Sequence, residues 1–409
     1  MIKHTEITPD DYEAWYEKGN ELIELGEYEE AIACFDQVIE FKPEDHQAWY
    51  DRGVALGWLS RYEKAIASFD KAIEIYPDYY QAWNNRGVSL VSLSRYEEAI
   101  ISYDKALEIN PFDDKAWYSK GIALDNLETH EEAIASYDKA LKINPSKEIA
   151  WYRRGIALDE LGRYEEAVFS YNKAIEIDPD DCETWYNRSN ALLNSGQDEE
   201  AIASYNKVIE IYPNYYQALT DRGIAMFNLG RYEEAITSYE KALEIEPDDY
   251  RAWSNLGNTL DNLGKYEEAV ASFDKAIEIE SGFYQAWYNR GNTLANLGKY
   301  EKAVAAFEKA IEIKSDDCET WYTRGMALDS LGKHKEAIAS HEKAIEIDPE
   351  SANAYYNLAC SYALQSLIEK SLEKLSQAIK LDSQCREDAK TDSDFDQIRS
   401  DRRFQALID

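Results

Sequence analysis

The sequence predicts an all-α fold built as a stack of helical hairpins, and three observations predict it. Nine prolines stand at residues 9, 43, 77, 111, 145, 179, 213, 247 and 349, and every gap between them is a multiple of 34. A period that strict marks a repeat array. Inside one period, apolar residues recur twice at helical spacing: Ala48, Trp49, Gly53, Leu56 and Leu59, then Ala65, Ile66, Phe69, Ala72, Ile73 and Ile75 after a short turn. Finally, 409 residues exceed what one hydrophobic core organises, a limit that an array growing along one axis escapes.

With Tyr12 as position 1, eleven units of 34 residues begin at 12, 46, 80, 114, 148, 182, 216, 250, 284, 318 and 352. Position 4 is Trp except at Leu219 and Tyr355, and position 8 is Gly except at Ser189 and Ala359. Position 20 is Ala until Ser371, and position 24 is aromatic from Phe35 to Phe307, followed by His341 and Leu375. Glycine inside a helix costs about 1 kcal/mol against alanine, so its return at position 8 calls for a close approach of the two helices. Ala at position 20 lets the backbones draw together, while the position 4 and 24 rings fill the flanks. Proline at position 32 ends the second helix because it cannot continue the hydrogen-bond ladder.

Trp, Gly, Leu, Ala, an aromatic, Ala and Pro at fixed places in 34 residues resemble the tetratricopeptide repeat, over residues 12–385. The resemblance implies a right-handed superhelical solenoid of eleven helix-turn-helix repeats, with first helices lining a concave groove and second helices outside. One departure is systematic: where the family carries Leu at position 7, this chain has Lys18, Arg52, Arg86, Lys120, Arg154, Arg188, Arg222, Arg290 and Arg324. These cations are expected to bury their stems between helices and pair with carboxylates.

A solenoid needs polar ends. Residues 386–409 leave the pattern, and Phe395, Ile398, Phe404, Leu407 and Ile408 are expected to cover the last hairpin. This segment resembles the closing sequence of many bacterial arrays, which implies a complete chain. Residues 1–11 form a lead-in whose Ile2 and Ile7 offer little cover, making that end a candidate for self-association. Ser281 and Ser315 replace proline at two successive junctions, which are expected to bend more readily.

Composition removes several functions. A net charge of −36 argues against nucleic acid, since like charges repel. No apolar run reaches the roughly 18 residues of a membrane span, no secretory signal opens the chain, and five scattered cysteines suit a reducing, cytoplasmic setting. No phosphate loop, zinc motif or nucleophile elbow is present, so the reading is non-catalytic and calls for no cofactor or metal. His334 and His341 lie seven apart on one helix, but they stand at core aromatic positions and lack an indicated third ligand.

The groove remains. Family geometry turns positions 2, 5, 6, 9, 12 and 13 toward it, and their spacing places them along one helical flank. Position 5 supplies tyrosines, among them Tyr118, Tyr152, Tyr186 and Tyr288, either as recognition rings or as packing between first helices. Positions 6, 9 and 13 carry Asn187, Asn190 and Asn194; Asn255, Asn258 and Asn262; and Asn289, Asn292 and Asn296, one stripe per helix. Three asparagines cost a helix about 1.5–2 kcal/mol against alanine, while each amide both donates and accepts, as an extended peptide backbone requires. The stripes resemble the asparagine ladder of O-GlcNAc transferases, a resemblance implying a substrate-recognition array acting in trans. They equally suit bonds to neighbouring helices. Earlier units place Val54, Trp58, Val88, Val91, Ile122 and Ile156 there instead, giving a two-zone groove with Trp58 as an anchor or a packing plug. Twelve acids against three bases at these positions point to a neutral or basic protein segment, extended or helical, as partner.

Overall fold

A computed structural model describes the backbone of residues 9–409 and the side chains of residues 12–409; Ile2 and Ile7 lie outside the described residues. Among the described residues the chain forms 24 α-helices and one 3-10 turn, with no strand. Each period is one hairpin: in repeat 2 the first helix is His46–Trp58 and the second Tyr62–Ile75. The hairpins form two compact units, one ending at Ile211 with repeats 1 to 6, the other running Tyr212–Asp409 with repeats 7 to 11 and a closing segment.

Local chemistry starts many of the helices. Asp45 caps the first helix of repeat 2 by accepting from the amides of Gln47 and Ala48, and Asp113, Asp181 and Asp249 cap the same helix in repeats 4, 6 and 8. Second helices lack such caps but carry paired acids in the first turn, such as Glu97 and Glu98, which favour the positive end of the helix dipole. The turn between the two helices needs a left-handed residue. Gly162 takes it at φ 69°, whereas Glu128 is held at φ 59°.

The packing inside a hairpin explains position 8. A Cβ on Gly53 would stand 2.6 Å from Cε1 of Phe69, and one on Gly155 would stand 2.5 Å from Cε1 of Tyr171. Glycine therefore makes room for the buried ring at position 24, a more specific reason than contact with Ala at position 20. Ser189 is accommodated with its hydroxyl donating to the Trp185 carbonyl at 2.7 Å.

Position 7 is a seam clamp. Arg154 donates Nε to Asp138 of the preceding repeat at 2.7 Å and Nη1 to Ser170 of its own second helix at 2.6 Å, while its guanidinium lies 6.0 Å from the Trp151 ring centre. Arg52, Arg86 and Arg324 bridge the same two neighbours, and Lys120 keeps the acid at 2.6 Å. Trp at position 4 also donates its indole N–H across the seam, from Trp151 to the Pro145 carbonyl at 2.9 Å. Trp287 and Trp321 make that bond to Ser281 and Ser315 at 3.0 and 2.9 Å, so the two junctions without proline keep the same tie. At the carboxyl end Phe395, Ile398, Phe404 and Ile408 are buried against Cys360 and Leu375 of repeat 11, with Leu407 partly buried beside them.

Candidate functional site

Open clefts lie between adjacent first helices at positions 6, 9, 10, 12 and 13. In the first unit a cleft of about 530 Å³ is lined by Val54, Gly57 and Trp58 of repeat 2 and by Asn85, Val88 and Ser92 of repeat 3. In the second unit a cleft of about 320 Å³ is lined by Phe227, Asn258, Asp261, Asn262, Asn289, Asn292 and Thr293. Trp58 is 66% exposed, and one face of its indole is stacked on Tyr28 at 5.9 Å with the planes 8° apart.

The position 5 tyrosines belong largely to the seam. All but Tyr356, which packs on Phe395, lie against the position 24 ring of their own repeat: Tyr118 on Tyr137 at 6.0 Å, Tyr186 on Tyr205 at 6.2 Å, Tyr288 on Phe307 at 6.1 Å. Their hydroxyls reach position 6 of the next repeat, where Tyr16 donates to Asp51 at 2.6 Å and Tyr50 accepts from Asn85 at 2.9 Å. Tyr118, Tyr186 and Tyr288 remain half-buried, whereas Tyr152 is only 7% exposed and packs in the core. Tyr152 accepts from Asn187 at 3.0 Å and so leaves the set of groove-facing rings. Burial pushes the hydroxyls of Tyr16, Tyr118 and Tyr288 up, so these rings are neutral donors and acceptors.

The asparagine stripes divide by position. Asn187 serves Tyr152, and Asn190 accepts from the buried Tyr205 hydroxyl at 2.6 Å, so two of the three in repeat 6 are tied to packing. In repeats 8 and 9 Asn289 donates to Asn258 Oδ1 at 2.9 Å, and Asn262 donates to the Asn258 backbone carbonyl at 2.9 Å. Asn255 and Asn292 are half-buried, and Asn194, Asn262 and Asn296, all at position 13, are exposed. Several groove acids are likewise engaged. Asp125 accepts from Tyr137 at 2.6 Å and Asp159 from Tyr171 at 3.1 Å, and burial pushes the Asp159 carboxyl up to about 6.

The two histidines of repeat 10 do share a partner, which sequence reading missed. His334 Nδ1 lies 2.8 Å from Asp329 Oδ1 and His341 Nε2 3.4 Å from Oδ2, while Ser361 donates to the same carboxylate at 2.5 Å. Repeat 4 has the same arrangement with His130 on Asp125 at 3.2 Å, and its visible signal is Asp at position 12 with His at position 17. Beside this hub the ligand atoms of Cys360, Asp392 and Asp394 lie within 4.8 Å of one another. Asp392 there accepts from the Tyr356 hydroxyl at 2.8 Å and from the Asp394 amide at 3.0 Å, as a cap on the closing segment. Burial and the adjacent carboxylates raise the Cys360 thiol well above its usual range.

No helix among the described residues is long and apolar enough to cross a membrane. Tetratricopeptide repeat models match residues 114–147, 149–181, 250–283 and 284–317, and others of that description match 16–80, 59–114 and 170–203. A TPR repeat model matches residues 189–230, 225–264 and 327–366. No curated protein sequence matches the chain. Among solved structures, part of a TPR repeat-containing protein from Cytophaga hutchinsonii is 19% identical, covering 59% of this chain and 99% of that one with a TM-score of 0.52. YrrB, described as a TPR protein with an unusual peptide-binding site, is 28% identical over 45% of this chain and 95% of its own, with a TM-score of 0.43. Yeast Tom70 is 17% identical, covering 97% and 98% of the two chains with a TM-score of 0.44. Repeat models thus match most of the chain between residues 16 and 366, those at 114–147, 250–283 and 284–317 coinciding with repeats 4, 8 and 9, and the chain belongs to the tetratricopeptide repeat family, whose members generally act as non-catalytic mediators of protein–protein interaction.

Proposed function

We propose that the protein is a non-catalytic scaffold that takes up a neutral or basic segment of a partner protein along its first helices. One observation carries this reading. The positions that stay constant from repeat to repeat are consumed by packing, at the Trp seam bond, the cationic clamp and the glycine against its ring, while the positions that vary line open clefts. Chemistry that varies along solvent-open cleft positions is what a recognition surface requires. The Trp58 cleft, walled by Val54 and Val88, suits an apolar side chain, and the amides around Asn258 suit backbone or polar groups.

The test is affinity co-purification from the native cell with wild type, Trp58→Ala and a triple Asn255, Asn258, Asn262→Ala variant side by side. A partner retained by wild type, lost from a variant that folds normally, and released as salt rises is the expected result. Undiminished capture by both variants, or tighter binding of acidic tail peptides than of basic ones, overturns the reading.

A further inference from the structure

Position 12 carries aspartate in four repeats, as Asp125, Asp159, Asp261 and Asp329. In three of them the carboxylate meets a donor from position 24 of its own second helix: the Tyr137 hydroxyl at 2.6 Å, the Tyr171 hydroxyl at 3.1 Å and His341 Nε2 at 3.4 Å. Repeat 8 breaks the pairing. Its position 24 is Phe273, a fully buried ring with nothing to donate. Asp261 Oδ1 is buried without a partner, and no hydrogen bond or ion pair among the described residues reaches this carboxylate. Asp159 also leaves Oδ1 unpartnered but keeps Tyr171 on its other oxygen, so among the described residues Asp261 is the one of these four carboxylates with no partner at all. An unpaired carboxylate oxygen out of water is costly, which leaves the site in want of a cation.

The surroundings say which cation. Asp261 lines the second-unit cleft and is the single charged residue there, beside Phe227 and four asparagines. The bonds from Asn289 to Asn258 and from Asn262 to the Asn258 carbonyl each use an amide donor, and no donor among the described residues reaches the side-chain oxygens of Asn262 and Asn289. The cleft therefore keeps open acceptors, the Asp261 carboxylate and the side-chain oxygens of Asn262 and Asn289, of which only the carboxylate is charged. A guanidinium has five N–H donors in one plane and no acceptor, and its face stacks on an aromatic ring such as Phe227. An ammonium group offers three donors from a point and is more strongly hydrated.

We infer that the cleft between the first helices of repeats 8 and 9 receives one arginine side chain of the partner segment, with Asp261 as its counter-ion. The inference rests on the reading of the first-helix surface as a peptide-binding groove and adds a sequence requirement to it. Asp261 is then the residue that sets specificity, and the asparagines hold the segment around it.

The experiment uses the full chain and a fluorescent, end-blocked dodecapeptide of Ser, Ala and Gly with one central arginine, alongside versions with citrulline, lysine or glutamate at that place. Citrulline keeps the shape and removes the charge. Wild type is expected to bind the arginine peptide about 10-fold more tightly than the citrulline peptide at low salt, with lysine between them and glutamate weakest. Asp261→Asn should erase the arginine preference, bringing the arginine and citrulline affinities together, and it should fold as wild type because Asp261 has no bond to lose. Phe273→Tyr should weaken the preference, since it gives Asp261 the hydroxyl that Asp125 and Asp159 have. Equal affinities for arginine and citrulline on wild type, or a preference that survives Asp261→Asn, overturns the inference and leaves the groove reading standing. Failure of every peptide to bind overturns both. Free N-acetyl-arginine amide binding as tightly as the peptide assigns the cleft to a small guanidinium compound and overturns the partner assignment.

Discussion

The Trp58 cleft of the first unit and the Asn258 cleft of the second are built on the same positions of the same repeat, yet one is walled by valine and an indole and the other by amides and a carboxylate. The scaffolding behind them is identical in kind. Gly53 makes room for Phe69 behind the first, and Gly257 and Gly291 make room for Phe273 and Phe307 behind the second. The difference teaches that stability and recognition draw on separate residues of one helix. Seam and core positions tolerate little, and the cleft positions between them are free to change chemistry without disturbing the stack.

The sharpest way to break that separation is one substitution made twice in the helix His46–Trp58. Gly53→Ala places a Cβ 2.6 Å from the buried Phe69 ring, and overpacking of that kind costs about 1–3 kcal/mol. Gly57→Ala, one turn later, meets nothing within 4 Å and is expected to stabilise the helix by up to about 1 kcal/mol. Native-state hydrogen exchange on the two variants reads both effects locally, which suits a repeat array whose units open separately. Effects of the same sign would show that the cleft wall and the core are one mechanical body.

The clamp gives the next largest effect. Arg154→Met removes the bonds to Asp138 and Ser170 and the charge over Trp151, in a side chain 14% exposed facing an acid 52% exposed. Because the acid is well solvated, the expected loss is about 1–2 kcal/mol, read as faster exchange in repeats 4 and 5. Trp58→Ala, by contrast, is expected to change stability by less than about 0.5 kcal/mol, since most of the indole is already in water.

Much of this frame was legible in the sequence because it repeats. Pro at position 32, Trp at 4, Gly at 8 and a cation at 7 recur often enough to be assigned roles before any coordinates, and the serine at position 23 that completes the clamp recurs too. What was not legible depends on pairs. That Tyr152 is buried while Tyr118 is half-buried turns on what packs beside each ring, and both read simply as Tyr at position 5. That Asp261 differs from Asp125 turns on Phe273 against Tyr137, twelve residues away on another helix, a relation visible only once the hairpin closes.

The same pairing governs pH dependence. Burial holds the Asp159 carboxyl near 6, above the unfolded value near 4, so the folded state takes up a proton that the unfolded state releases between those values. Stability from this group is therefore greatest below about pH 4 and declines as pH rises through 6. Asp159→Asn, which keeps an acceptor for Tyr171, is expected to flatten that decline and to raise stability at pH 7 by about 1 kcal/mol after allowance for solvent screening. Urea titrations at pH 4.5 and 7 check it, and a steeper decline in the variant would reverse the sign argued here.

A small stabilising effect concerns the turn between helices. Glu128 holds φ 59° at a place where Gly162 sits at 69° in the next repeat, a conformation that crowds its Cβ against the following carbonyl. Glu128→Gly removes that strain but lets the unfolded chain roam more widely, so the two terms oppose. Strain for a non-glycine residue in this region runs to about 1–2 kcal/mol and the entropy loss to about 0.5–1, which leaves a gain of roughly 0.5 kcal/mol. Thermal melts of wild type and variant should show a rise of about a degree or two, with no change in binding of any peptide, because Glu128 lines neither cleft.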